Sequence, residues 1–163
     1  MYCPVCQRSN FELFKTKDMK LPKELYNGII IFIGIGLYFL LMEVLNLSNL
    51  YYLRLLNIVF VYYGANKTLK SNFLEGKNLF SHNAISAFLT SIIGIFLSIA
   101  GLLAYIYAKG GDSYIQNLSE TFLFVGTPTA VTYTITLLIE GIVSALIVTF
   151  SLMLYWKEKY PAD

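Results

Sequence analysis

The chain has 163 residues, of which 56 % are hydrophobic, 16 % aromatic and only 13 % charged. So apolar a composition excludes an ordinary water-facing surface and predicts an integral membrane protein. A formal net charge of +2, with its basic residues spread along the chain, argues against a nucleic-acid partner, and two cysteines are too few for a disulfide framework.

The chain begins with a polar segment, 1–22, that contains CPVC at Cys3 and Cys6. Two thiols three residues apart resemble a zinc-ribbon knuckle, which holds one side of a tetrahedral metal. A closed site needs four ligands. His82 is the one histidine in the sequence, so zinc at Cys3 and Cys6 requires His82 with an outside ligand, or CPVC from a second chain. Without such partners the segment is a tail with two reduced thiols. A redox pair needs a strand-helix pattern around it, and none surrounds CPVC. The segment is too polar, and the apolar run after it too long, for a cleavable signal peptide.

A membrane-crossing helix needs about 20 mostly apolar residues. The first predicted span covers about 25–45, around the uncharged run LYNGIIIFIGIGLYFLLM between Glu24 and Glu43. The second, about 50–67, is interrupted by Arg54 and is short unless its helix runs on toward Lys70; a re-entrant or interfacial segment is the alternative. The third, about 84–108, is uncharged and ends in Tyr105 and Tyr107, which suit a membrane interface. The fourth, about 130–155, follows Pro128 and ends in Tyr155, Trp156 and Lys157, an aromatic then cationic anchor, and carries one charge, Glu140. Residues 158–163 form a second tail. Lysine and arginine gather in the first segment, in the loop after the second span and in that last tail, while Arg54 and Lys109 fall on the other side. The expected fold is therefore an all-α, four-helix transmembrane bundle at 23–157 with both termini cytoplasmic. The loop from Lys109 to Thr129 is expected outside, with a short interfacial helix.

Glu140 is the costliest residue, because a charge at the centre of a bilayer costs about 2.5–3.5 kcal/mol on insertion scales. Thr132, Thr136 and Ser144 sit four or eight residues away and suggest one polar stripe with it. That stripe either holds a proton or cation, or locks helices together by hydrogen bonds. Arg54 is a candidate partner for Glu140, and Glu43 competes for Arg54 across the first turn; Asn57, Tyr133 or a hydroxyl of the third span are other partners for Glu140. The third span also carries small residues at Ala87, Ser91, Gly94, Ser98, Gly101, Ala104 and Ala108, spaced by four and three. They let helices approach closely, either inside the chain or against a second copy or another membrane protein. No nucleophile-base-acid set can be drawn, so the chain reads as no enzyme.

The stretches GANKTLKSNFLEGKNLFSHNAISAF and PTAVTYTITLLIEGIVSALIVTFSLML resemble a family of uncharacterised four-span membrane proteins of Bacteroidota, over about Leu25 to Lys159. The resemblance implies a fold and a location in the bacterial inner membrane, and no catalytic residues. From the sequence alone, the function expected is that of an accessory or assembly subunit acting through helix packing. The alternatives are a small oligomeric ion- or proton-coupled transporter or channel built around Glu140, and a zinc-linked dimer or sensor.

Overall fold

The computed structural model describes residues 22–45, 47, 51–77, 79–118 and 129–159, so Cys3 and Cys6 lie outside the described residues. Those residues form helices: α1 (Lys23–Val44), α2 (Tyr51–Arg54), α3 (Asn57–Leu74), α4 (Phe80–Ala108), α5 (Asp112–Leu118) and α6 (Ala130–Trp156), closed by a 3₁₀ turn at Lys157–Lys159. Three of them, α1, α4 and α6, are long and apolar enough to cross a membrane.

The second predicted span differs from expectation. Its long helix starts at Asn57 and continues to Leu74, seven residues past the predicted end, while Arg54 sits on the separate single turn α2. Hydrogen bonds from Leu56 to Leu53, Ile58 to Leu55 and Val59 to Leu56 are all i→i−3, a tightened winding that divides α2 from α3. The polar second half of α3 stays helical because Thr68 and Asn72 turn inward to partners on α1 and α4.

Helix ends are set by local chemistry. After α3, Gly76 takes φ 74° and the Lys77 amide donates to the Asn72 carbonyl, a six-to-one closure that needs a left-handed residue. Gly110 and Gly111 end α4 in the same way, with the Gly111 amide on the Ile106 carbonyl. At the start of α6 two side chains receive otherwise orphaned amides: Thr129 Oγ1 accepts from Thr132 N, and Asp112 Oδ1, on α5, accepts from Ala130 N at 2.7 Å. Asp112 also places a negative charge at the positive end of the helix dipole. Asp112→Ala is expected to cost about 1 kcal/mol, read as a lower thermal midpoint that Asp112→Asn partly restores.

The four long helices alternate in direction. Gly28 meets Gly94 and Phe32 meets Gly101, so α1 and α4 run the same way. Asn27 pairs with Thr68 and Tyr38 donates to the Leu53 carbonyl, so α3 runs against α1. Gly141 meets Ile95 while Ala130 and Tyr133 cluster with Ile106 and Leu102, so α6 runs against α4. Helix α4 packs on α1, α3 and α6, and α3 also packs on α1 and α6. Ile31, Val61, Ala65, Leu69, Ile95 and Leu152 form the centre of the core. Lys23, Lys77 and Lys157 mark a basic end; Arg54, Lys109 and Asp112 mark the far end.

Trp156 departs from its predicted role as an interface anchor. It is buried, stacks on Phe73 with ring centres 4.6 Å apart, and donates from Nε1 to Asn66 Oδ1 at 3.0 Å. Pinning α6 to α3 satisfies its indole N–H inside the protein. Tyr155 beside it is exposed.

Candidate functional site

At the basic end α1, α3 and α4 are joined by a buried polar layer. Lys23 Nζ donates to Asn72 Oδ1 (3.3 Å), Asn72 Nδ2 to Ser86 Oγ (3.0 Å), and Ser86 Oγ to Glu24 Oε1 (2.6 Å). One turn deeper, Asn27 Nδ2 donates to Thr68 Oγ1 at 2.8 Å, and Thr68 and Thr90 share a hydrogen bond at 3.0 Å. Asn72, Thr68 and Thr90 are almost wholly buried. Hydrogen bonds between helices in lipid contribute on average about 0.6 kcal/mol each, so the value of the layer lies in fixing register. No charge or motif marks Asn27, Thr68, Asn72, Ser86 or Thr90 in the sequence. Their signal was the i, i+4 polar pairs Thr68/Asn72 and Ser86/Thr90 beside apolar runs.

At the rim of this layer Lys23 and Lys77 both meet Glu75, Lys77 at 3.4 Å. Hydrogen bonding from Lys23 holds the Glu75 carboxyl below the usual carboxylate range. The sign follows: a depressed folded value gives stability that is present above the ordinary carboxylate range and is lost as pH falls through the folded value. Glu75→Gln is therefore expected to lower the thermal midpoint slightly at neutral pH. The difference should vanish in acid and shrink in high salt, because Glu75 and its partners reach solvent.

Toward the far end α1, α2, α3, α4 and α6 all contribute to the lining of a cavity of roughly 560 Å³. Most of its lining is aliphatic or aromatic. Its polar groups are Arg54, Asn57, Ser98, Tyr133, Glu140 and Ser144, with the Tyr105 ring among the wall residues. Val61 and Ile95 line it, and both belong to the core that continues through Ile31, Ala65 and Leu69, so apolar packing separates the cavity from the polar layer. Glu140 lines it while remaining exposed, which places this carboxylate at its rim.

The expected partners of Glu140 and Arg54 meet around this cavity. The Arg54 guanidinium lies 5.3 Å from the centre of the Tyr133 ring and hydrogen-bonds the Tyr133 side chain, and Glu140 and Glu43 both act electrostatically on that phenol. Glu43 also lies beside Tyr114 on α5, where burial first and then the carboxylate hold the phenol above its usual range. Asn57 lines the cavity with Oδ1 buried and without a hydrogen-bond partner. The Ser98 hydroxyl donates to the Gly94 carbonyl at 2.8 Å, so toward the cavity it offers lone pairs.

Two expected groupings change. Thr136 donates to the Thr132 carbonyl and is not a lining residue; the cavity face of α6 is Tyr133, Leu137, Glu140, Gly141 and Ser144. Each four-residue step on a 3.6-residue helix advances by about 40°, so Thr132 has rotated about 80° from Glu140. The small-residue stripe divides as well. Ala87, Ser91 and Gly94 are buried within the chain, where Gly94 admits Ile31 and the Gly28 carbonyl, whereas Ser98 and Gly101 reach the cavity and Ala104 and Ala108 are exposed.

His82 is exposed near the start of α4, and no group of three or more metal-ligating side chains occurs among the described residues. Comparison with protein-family models, curated proteins and solved structures finds no match. The described residues are all-helical, and the three apolar helices mark the chain as an integral membrane protein.

Proposed function

We propose that the chain is a non-enzymatic membrane carrier that binds a small solute in the far-end cavity, with Glu140 as the residue that takes up and releases charge. The observation that carries this reading is the cavity itself. An otherwise apolar pocket brings Arg54, Asn57, Tyr133 and Glu140 together beside a core that closes it toward the basic end. Cavities of about 300–1,000 Å³ with a few convergent polar groups are the usual form of a small-molecule site. A carboxylate within a membrane span is retained for function or for packing, and the exposure of Glu140 at a cavity rim favours function.

In this reading α3 is the fourth span. Its exposed Val59, Tyr62 and Tyr63 suit lipid, and Lys67, stacked at 5.3 Å over the Tyr26 ring, extends along the surface toward the basic end. Lys23, Lys67, Lys70, Lys77 and Lys157 against Arg54 and Lys109 favour a cytoplasmic basic end, with both termini inside and a bacterial inner membrane as the location. The resemblance to four-span proteins of Bacteroidota fits this arrangement. The assembly-subunit reading loses support because the inner part of the small-residue stripe is occupied by the chain's own α1. A zinc-linked dimer through Cys3 and Cys6 stays separate, and metal analysis of wild type and Cys3→Ser decides it.

Glu140→Gln separates carrier from packing subunit: unchanged stability with lost proton-coupled flux in proteoliposomes supports the carrier, and lost assembly with unchanged flux contradicts it.

A further inference from the structure

Resting on the carrier reading, we infer that the ligand is an amphipathic organic monocation whose ammonium carries N–H donors. Three features of the cavity point to it. The first is charge: Glu140 lines the cavity and Glu43, outside the lining, adds a second carboxylate acting on the Tyr133 phenol against one guanidinium, Arg54, so the charged groups around that phenol sum to one negative charge. Lys109, over the Tyr105 ring at 5.6 Å, and Asp112 are both exposed at the far end, and as charges they cancel.

The second is hydrogen bonding. Asn57 Oδ1 is a buried acceptor without a donor, and Ser98 has already given its proton to Gly94. Counted along the helices at about 1.5 Å per residue, Asn57 lies about 5 Å below Arg54 and Glu140 about 10 Å below Tyr133. Acceptors thus follow one another down the cavity from the level where Arg54 is engaged with Tyr133. A buried acceptor left unmade costs free energy, and an ammonium supplies both the charge and the donors. The third is the wall. Phe32, Phe39 and Tyr105 are among the lining, and with the aliphatic remainder they suit an apolar body better than a bare metal ion.

The test uses the full chain in nanodiscs of zwitterionic lipid, with radiolabelled dodecylammonium as probe and empty nanodiscs subtracted. Dodecyltrimethylammonium keeps the charge and removes the N–H donors; dodecyl sulfate reverses the charge. Saturable binding of dodecylammonium is expected, at least tenfold tighter than that of the trimethyl analogue, and weakened at least tenfold by Glu140→Gln. A second variant, Gly36→Leu, fills the cavity at a position where an added Cβ meets nothing within 4 Å, so it should fold and abolish binding.

Equal affinity for the two cations overturns the donor requirement, and dodecylammonium binding unchanged in Glu140→Gln overturns the role of the carboxylate. Saturable dodecyl sulfate binding that Gly36→Leu abolishes overturns the cation while leaving the cavity as the site. Binding of no probe overturns both the cation and the carrier reading.

Discussion

Gly94→Val is expected to lower the thermal midpoint of the detergent-solubilised protein more than any other single glycine change at the α1–α4 crossing. A Cβ at this position meets Ile31 Cβ and Cγ2 at 2.7 Å and the Gly28 carbonyl at 3.1 Å. A side chain can rotate away, but the Gly28 backbone moves only if the two helices separate. Overpacking of this kind typically costs about 1–3 kcal/mol, and each kcal/mol shifts a midpoint by roughly 2–4 °C in a chain of this size. Separation here would also pull Asn27 from Thr68 and Glu24 from Ser86, since both bonds need α1 close to its neighbours. Gly36→Ala is the control. With nothing near its Cβ, it should leave the midpoint unchanged or raise it, because glycine inside a helix costs about 0.5–1 kcal/mol relative to alanine. Equal midpoints for Gly94→Val and wild type would show that α1 and α4 do not cross there.

Glu140→Gln has the larger functional effect. The carboxamide keeps the shape of the side chain while removing the charge, and Glu140 is exposed, so the fold should survive. In the carrier reading, flux coupled to a proton or cation falls at least tenfold, the midpoint stays within about 2 °C, and the oligomeric state is unchanged. A fall in stability with intact flux would assign Glu140 to helix packing.

The sequence showed most of the architecture because long uncharged runs leave few alternatives. Helices α1, α4 and α6 cover the runs read as the first, third and fourth spans, and a short helix, α5, occurs in the loop that begins at Lys109, whose residues 119–128 lie outside the described residues. The second segment was harder to place. Its apolar half and its polar half belong to one helix, and hydropathy cannot show that Thr68 and Asn72 turn inward to partners on other helices. The same blindness to tertiary contact assigned Trp156 to an interface, where an indole beside lysine looks at home, when its N–H partner is Asn66, 90 residues away.

The candidate site was partly legible. Glu140 stood out by its cost, and Arg54, Asn57 and Tyr133 were among its possible neighbours; that all of them line one cavity depends on how α2, α3 and α6 come together. Thr136 was misplaced by reading i+4 spacing as a straight line, since the cavity face drifts with the helix to Tyr133 and Leu137. The buried layer at the basic end escaped notice because asparagine, serine and threonine are common in helices and carry no charge to mark them.

If the far-end cavity takes up solute from the far side of the membrane, Ser98 in its lining must be reachable from that side, and cysteine accessibility there decides it. In a background with Cys3→Ser and Cys6→Ser, Ser98→Cys is expected to react with a membrane-impermeant thiol reagent added outside intact cells. Adding Gly36→Leu should block that reaction. No labelling from outside, or labelling that Gly36→Leu leaves unchanged, would contradict uptake from that side.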